Sequence, residues 1–170
     1  EAGNLDAMSK YGRKLYFGQG VKMDHQKAAA YLKVAADSGN LEAIELYSQM
    51  LRTGNGVSIN KKESAKYLKK AADKGSVNSM YNLAIVLDSG DGVSVNKKEA
   101  AKYLKMAADN GNKNAMYNYA LMVDDGDGIP VNKEEAAKYY KKAADLGVVN
   151  AMYNYGLMSE DGEGIPVNKE

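Results

Sequence analysis

The five residues Ala35-Ala36-Asp37-Ser38-Gly39 return as Ala71 to Gly75, as Ala107 to Gly111 and as Ala143 to Gly147, each time 36 positions further on (35 to 71, 71 to 107, 107 to 143). A second phrase keeps the same interval: Gly18-Gln19-Gly20-Val21, Gly54-Asn55-Gly56-Val57, Gly90 to Val93, Gly126 to Ile129 and Gly162 to Ile165. A fixed period of roughly 20–50 residues marks a stacked repeat array. One such unit cannot bury its apolar face alone, so its neighbours must do so. Function is then expected on a surface repeated along the array.

The 170 residues read as one continuous solenoid, with units at 4–39, 40–75, 76–111 and 112–147 and a partial unit at 148–170. A formal net charge of +1 gives no bulk field toward nucleic acid or anionic lipid. The absence of cysteine removes disulfides, thiolate metal sites and cysteine nucleophiles, and it favours a reducing, cytoplasmic setting. No apolar run approaches the roughly 20 residues of a membrane span, and Glu1-Ala2-Gly3-Asn4 is no signal peptide. The chain opens without an initiator Met and stops at Asn168-Lys169-Glu170, inside a repeat, so it reads as a piece of something longer.

The fourth unit shows the local logic. Ala115, Met116, Tyr119, Ala120 and Val123 fall at helical spacings and predict a first helix, A. Gly126 takes the left-handed conformation that ends a helix cheaply, and Pro130 cannot continue one. Ile129 is expected to anchor the loop on the core. Asn132 then caps a second helix, B, with Glu135 at the position from which it can reach back to the cap. The same box occurs at Asn60/Glu63 and Asn96/Glu99, while the first unit has Asp24 followed by Lys27. Ala136, Tyr139, Tyr140, Ala143 and Ala144 form the apolar stripe of B, and Gly147 follows its end. Helix A is thus expected near 4–17, 40–53, 76–89, 112–125 and 148–161, and helix B near 25–37, 61–73, 97–109 and 133–145. The fifth B helix is missing, which leaves a flank around Ala151, Tyr155 and Gly156 uncovered. End-to-end self-association is expected from it.

The run from Lys98 to Gly111 (Lys-Glu-Ala-Ala-Lys-Tyr-Leu-Lys-Met-Ala-Ala-Asp-Asn-Gly), with Gly-x-Gly-Val on the preceding loop, resembles the Sel-one-like repeat, a relative of the tetratricopeptide repeat. The resemblance covers four full units and a half unit. It implies an all-α fold, an α/α right-handed superhelix with the A helices on the concave side, and a role as adaptor or scaffold in protein complexes. Some bacterial members carry a disulfide in each repeat, which has no counterpart here. The aromatic of helix B that is often Trp is Tyr31, Tyr67, Tyr103 and Tyr139.

The free face of helix A carries Asn114, Tyr117, Asn118, Leu121, Asp124 and Asp125 in the fourth unit. The third offers Asn78, Tyr81, Asn82, Ile85 and Asp88, and the fifth Asn150, Tyr153, Asn154, Leu157 and Glu160. Stacking would align Asn rows at 78/114/150 and 82/118/154 and a Tyr row at 81/117/153. Amides both donate and accept, which suits the backbone of an extended peptide, and Tyr adds apolar area with one polar tip. Exposed, uncommitted side chains copied along with the unit would give the same rows. The first two units are more charged and less regular, with Asp6, Ser9, Lys10, Arg13 and Phe17, then Glu42, Glu45, Leu46, Gln49 and Arg52; Lys10, Arg13 and Arg52 could hold a carboxylate.

Chemistry finds little support. Ser58-x-x-Lys61 and Ser94-x-x-Lys97 match an acylation motif, but Pro130 and Pro166 stand at the Ser position in later units, which makes it a turn. Asp124-Asp125-Gly126-Asp127-Gly128 fails the EF-hand pattern in both registers. His25 sits where other units have Lys, and the helix-B lysines Lys102, Lys105, Lys138, Lys141 and Lys142 are expected to solvate the outer surface. No nucleophile–base pair, metal cluster or phosphate loop emerges, so neither a cofactor nor an enzymatic activity is expected. A protein or peptide partner is expected instead; a spacer role inside a larger protein fits the same repeat.

Overall fold

Apolar residues three and four apart, bounded by helix-ending signals, give each of the four full units two helices. The computed structural model describes residues 2–165; Pro166 and Asn168 to Glu170 lie outside the described residues. Among the described residues there are nine helices and no strand: α1 Ala2–Phe17, α2 His25–Asp37, α3 Leu41–Thr53, α4 Lys61–Asp73, α5 Val77–Ser89, α6 Lys97–Asp109, α7 Lys113–Asp125, α8 Lys133–Asp145 and α9 Val149–Asp161. Odd-numbered helices are the A helices and even-numbered ones the B helices. Each packs on the next in the chain, and α1 also touches α3. The whole is an α/α right-handed superhelical solenoid with a period of about 36 residues.

The caps set the ends. Asn40, Ser76 and Asn112 each accept a hydrogen bond from the backbone N–H three residues on, so their helices start one residue inside the expected span. Asn60, Asn96 and Asn132 do the same for the B helices, and Asp24 does so for α2. The boxes close differently from expectation. The carboxylates of Glu63 and Glu99 accept from the cap's side-chain amide (2.9 and 3.1 Å). Glu135 turns away to Lys105.

Units join through two side-chain contacts that recur with a 30-residue offset and a glycine contact that recurs with one of 31. Tyr67, Tyr103 and Tyr139 donate their hydroxyls to Asp37, Asp73 and Asp109 of the preceding unit, at 2.5, 2.9 and 2.5 Å. Lys61 pairs with Asp91 of the following loop at 2.6 Å, Lys97 with Asp127, and Lys133 with Glu163 at 3.2 Å. The second glycine of the Gly-x-Gly phrase allows that loop to come close. A Cβ at Gly92 would lie 2.4 Å from Cβ of Lys61, and one at Gly128 would lie 2.5 Å from Cβ of Lys97. Both residues also need positive φ, +84° and +78°. The glycine pair therefore does more than end a helix: the first closes helix A and the second seats its unit on the one before. Val57, Val93 and Ile129 follow these pairs and pack partly buried against the core, so the anchoring expected of Ile129 extends to its equivalents.

Two expectations are corrected. Lys105 is not a solvating lysine. It bridges Glu135, Tyr119 and Tyr139, where burial disfavours its charge but the carboxylate and both phenols outweigh this and raise its pKa. The uncovered flank of α9 is not built around Ala151, which is fully buried. Gly156 is exposed as expected and Tyr155 is half-buried, and the flank also takes in Val149, Met152, Tyr153 and Leu157, with Val149 72% and Tyr153 67% exposed.

Candidate functional site

Helices α1, α3 and α5 converge on a cleft of about 550 Å³, and α4 supplies part of its floor. The repeat breaks here in a way that the sequence displays. Ser48 and Ser64 stand where the third and fourth units have Ala84 and Ala120, and Ala100 and Ala136. Both are buried and satisfied: the Ser64 hydroxyl donates to the Ser48 carbonyl at 2.8 Å, and the Ser48 hydroxyl to the Glu45 carbonyl at 2.8 Å. Leu46, Leu68, Val86 and Ile85 add apolar wall, with Phe17 at the edge. The rim carries Arg13, Glu42, Glu45, Gln49, Arg52, Asn78, Tyr81 and Asn82.

Two rim carboxylates are already hydrogen-bonded, one of them to a cation. Arg13 donates to Glu42 at 3.0 Å, and the Ser76 hydroxyl donates to Glu45 at 2.6 Å. Among the described residues Lys10 and Arg52 make no ion pair, and the side-chain amides of Gln49, Asn78 and Asn82 make no hydrogen bond. A second, smaller cleft of about 320 Å³ lies further along, between α5 and α7, lined by Ile85, Asp88, Leu104, Asn118, Leu121, Met122, Asp125 and Asp127. Lys97 lies 3.9 Å from Asp88 and pairs with Asp127; Lys133 holds Asp124 at 2.6 Å. Asp125, Glu160 and Asp161 make no ion pair among the described residues.

The predicted rows divide. Asn78, Tyr81 and Asn82 line the larger cleft, and Asn118 and Leu121 the smaller. Asn114, Tyr117, Asn150, Tyr153 and Asn154 line neither. The second Asn row is also not uniform. Asn82 is exposed, whereas Asn118 is half-buried with its amide 3.5 Å from the Tyr81 hydroxyl. Asn154 is half-buried near Tyr140, the one aromatic at a position that is Leu32, Leu68 and Leu104 elsewhere. Tyr140 is fully buried, reaches Asp124 at 3.3 Å and stacks obliquely on Tyr117 at 6.0 Å. Burial pushes its phenol well above the ordinary tyrosine range.

Among the described residues no three His, Asp or Glu side chains are arranged to hold a metal ion. None of the helices described is long and apolar enough to cross a membrane.

Known proteins supply a frame for this geometry. The Sel1 repeat model matches residues 5–40, 41–76, 77–112, 113–148 and 149–170. No curated protein matches the chain. Among solved structures, it is similar to a protective antigen of uropathogenic Escherichia coli with an SLR fold (28% identity, TM-score 0.91, over 99% of this chain and 36% of that one). It is also similar to a Sel1 repeat protein from Oxalobacter formigenes (30% identity, TM-score 0.83, over 96% of this chain and 67% of that one). Cysteine rich protein B of Helicobacter pylori shares the fold (24% identity, TM-score 0.60, over 81% of this chain and 98% of that one), although this chain has no cysteine. With five matched repeats spanning nearly every residue, the chain belongs to the Sel1 repeat family.

Proposed function

We propose that this chain is a non-enzymatic interaction module that binds an extended segment of a partner protein along the helix-A face, the concave side of the superhelix. Sel1 repeat proteins are in general protein-interaction scaffolds. The observation that carries the finer reading is the 550 Å³ cleft, where uncommitted amides of Gln49, Asn78 and Asn82 flank an apolar floor. Amides on such a rim can pair with peptide N–H and C=O groups while the floor takes a side chain. Tyr81, Tyr117, Tyr153, Asn114 and Asn150 extend the contact along the array, and Leu121 contributes apolar surface.

The test is peptide-array binding followed by titration of one bound peptide. Changing Asn82, Asn118 and Asn154 together to Ala is expected to weaken binding by at least about tenfold, with Asn82 alone contributing the largest share. An unchanged affinity rejects this groove and leaves the spacer role.

A second reading concerns the chain itself. Exposure of Val149, Met152, Tyr153 and Leu157 on α9 favours self-association of the 170-residue chain. Sedimentation should show concentration-dependent mass that Met152→Lys removes; a monomer at all concentrations ends this reading.

A further inference from the structure

We infer that the partner segment lies in the groove as a polyproline II helix and anchors two side chains three residues apart, a bulky apolar one in the larger cleft and a slimmer one in the smaller. This deepens the proposed groove and rests on it.

The two clefts are one site repeated. Ile85, Asp88, Leu104, Asn118, Leu121 and Met122 of the smaller cleft each stand 36 positions after a residue that lines the larger, as Leu104 does after Leu68 and Leu121 after Ile85. Ile85 belongs to both and divides them. The clefts are therefore one unit apart. The A helices that form them lie side by side, with the Asn118 amide of α7 on the Tyr81 hydroxyl of α5. Helices packed in this way keep their axes roughly 8–10 Å apart.

That spacing selects among backbones. A strand shows every second residue on one face, so its same-side side chains lie about 7 Å or about 13 Å apart. A polyproline II helix shows every third residue, about 9 Å apart. An α-helix also comes close, with residues seven apart separated by about 10 Å, but its N–H and C=O groups are bonded internally. A polyproline II backbone has no internal hydrogen bonds and leaves its carbonyls free. The uncommitted amides of Gln49, Asn78 and Asn82 on the rim therefore find partners on it and not on an α-helix.

The cleft volumes set the anchors. About 550 Å³ beside Leu46, Leu68 and Val86 takes a ring. About 320 Å³, where Ile85 and Met122 replace Gln49 and Val86, takes a slim unbranched chain. At the third such position Tyr140 replaces the leucine, is fully buried and stacks obliquely on Tyr117, so the anchors number two. Charge agrees with a largely uncharged segment. At the larger cleft Arg13 and Arg52 balance Glu42 and Glu45. At the smaller, Asp88, Asp125 and Asp127 face Lys97 and exclude an acidic anchor.

The experiment titrates fluorescently labelled proline-rich peptides with the whole 170-residue chain. Phe and Met are set two, three or four residues apart, in both chain orders, and a threonine-rich peptide with the two-residue spacing represents a strand. The three-residue spacing should bind at least about tenfold more tightly than the others, the value of one buried apolar side chain. Leu121→Trp, which fills the smaller cleft, should remove that advantage and leave a peptide with Phe alone unchanged. Tightest binding by the threonine-rich peptide, or equal binding at all three spacings, overturns the inference. If that binding still weakens when Asn82, Asn118 and Asn154 are changed to Ala, the groove itself stands. No binding by any peptide removes the groove and the inference together.

Discussion

The open flank of the first unit and the junction between the second and third units use the same residues in different surroundings. Gly20 and Gly92 occupy one repeat position with nearly the same backbone, φ +72° and +84°. A Cβ on Gly20 meets nothing within 4 Å, whereas one on Gly92 would collide with Lys61. Tyr31 and Tyr103 are likewise equivalent. Tyr103 is 3% exposed and joined to Asp73 and to Lys69, whose ammonium donates to it at 2.8 Å. Tyr31 is 36% exposed and rests edge-on against Tyr11, 5.1 Å between ring centres. The repeated phrase is thus largely a code for the junction and only partly one for the unit. What a copied residue does depends on whether a neighbour stands in front of it.

That contrast can be broken most forcefully at the glycines. Gly92→Ala is expected to cost about 2–4 kcal/mol, since strain of the left-handed backbone adds to a collision with a helix start. Gly20→Ala carries the backbone strain alone, about 1–2 kcal/mol. Denaturant unfolding of the two variants would reveal the difference, and equal losses would show that the close approach has no energetic weight.

The tyrosines give a smaller effect. Tyr103→Phe should lose about 1 kcal/mol, because exposed Asp73 can turn to water; Tyr31→Phe should fall within about 0.5 kcal/mol of the parent. Alkali sharpens the same comparison. Burial first, then the bonds to Asp37 and Asp109, push Tyr67 and Tyr139 from an ordinary 10.0 up to about 12. A raised tyrosine pKa means that the folded state keeps a proton that the unfolded chain releases. Its stabilisation is complete below 10.0 and is lost as pH rises toward about 12. The melting temperature should fall across that window, and more gently when both residues are Phe.

The period, the helix ends and the buried stripes were legible in the sequence because each depends on residues within a turn or two of one another. Asn132 lies three residues from the N–H it caps, and Ala115, Tyr119 and Ala120 share one helical face. The second glycine of each loop was legible only as a turn, since its constraint comes from a lysine 31 positions earlier (92 − 61). Lys105 was misjudged for the same reason: its partner Glu135 belongs to the next unit. On the candidate site, register alone aligned the Asn rows. Which amides stay free could not be read that way, because it depends on the neighbouring unit, as where the Asn118 amide reaches the Tyr81 hydroxyl.

The Tyr–Asp bonds and glycine contacts all run the same way, from a later unit back onto the helix B before it. During synthesis from the amino end, each newly emerging helix pair therefore meets a surface already complete and waiting. Assembly can proceed stepwise in the order of translation, without any segment having to be held open for a distant part of the chain.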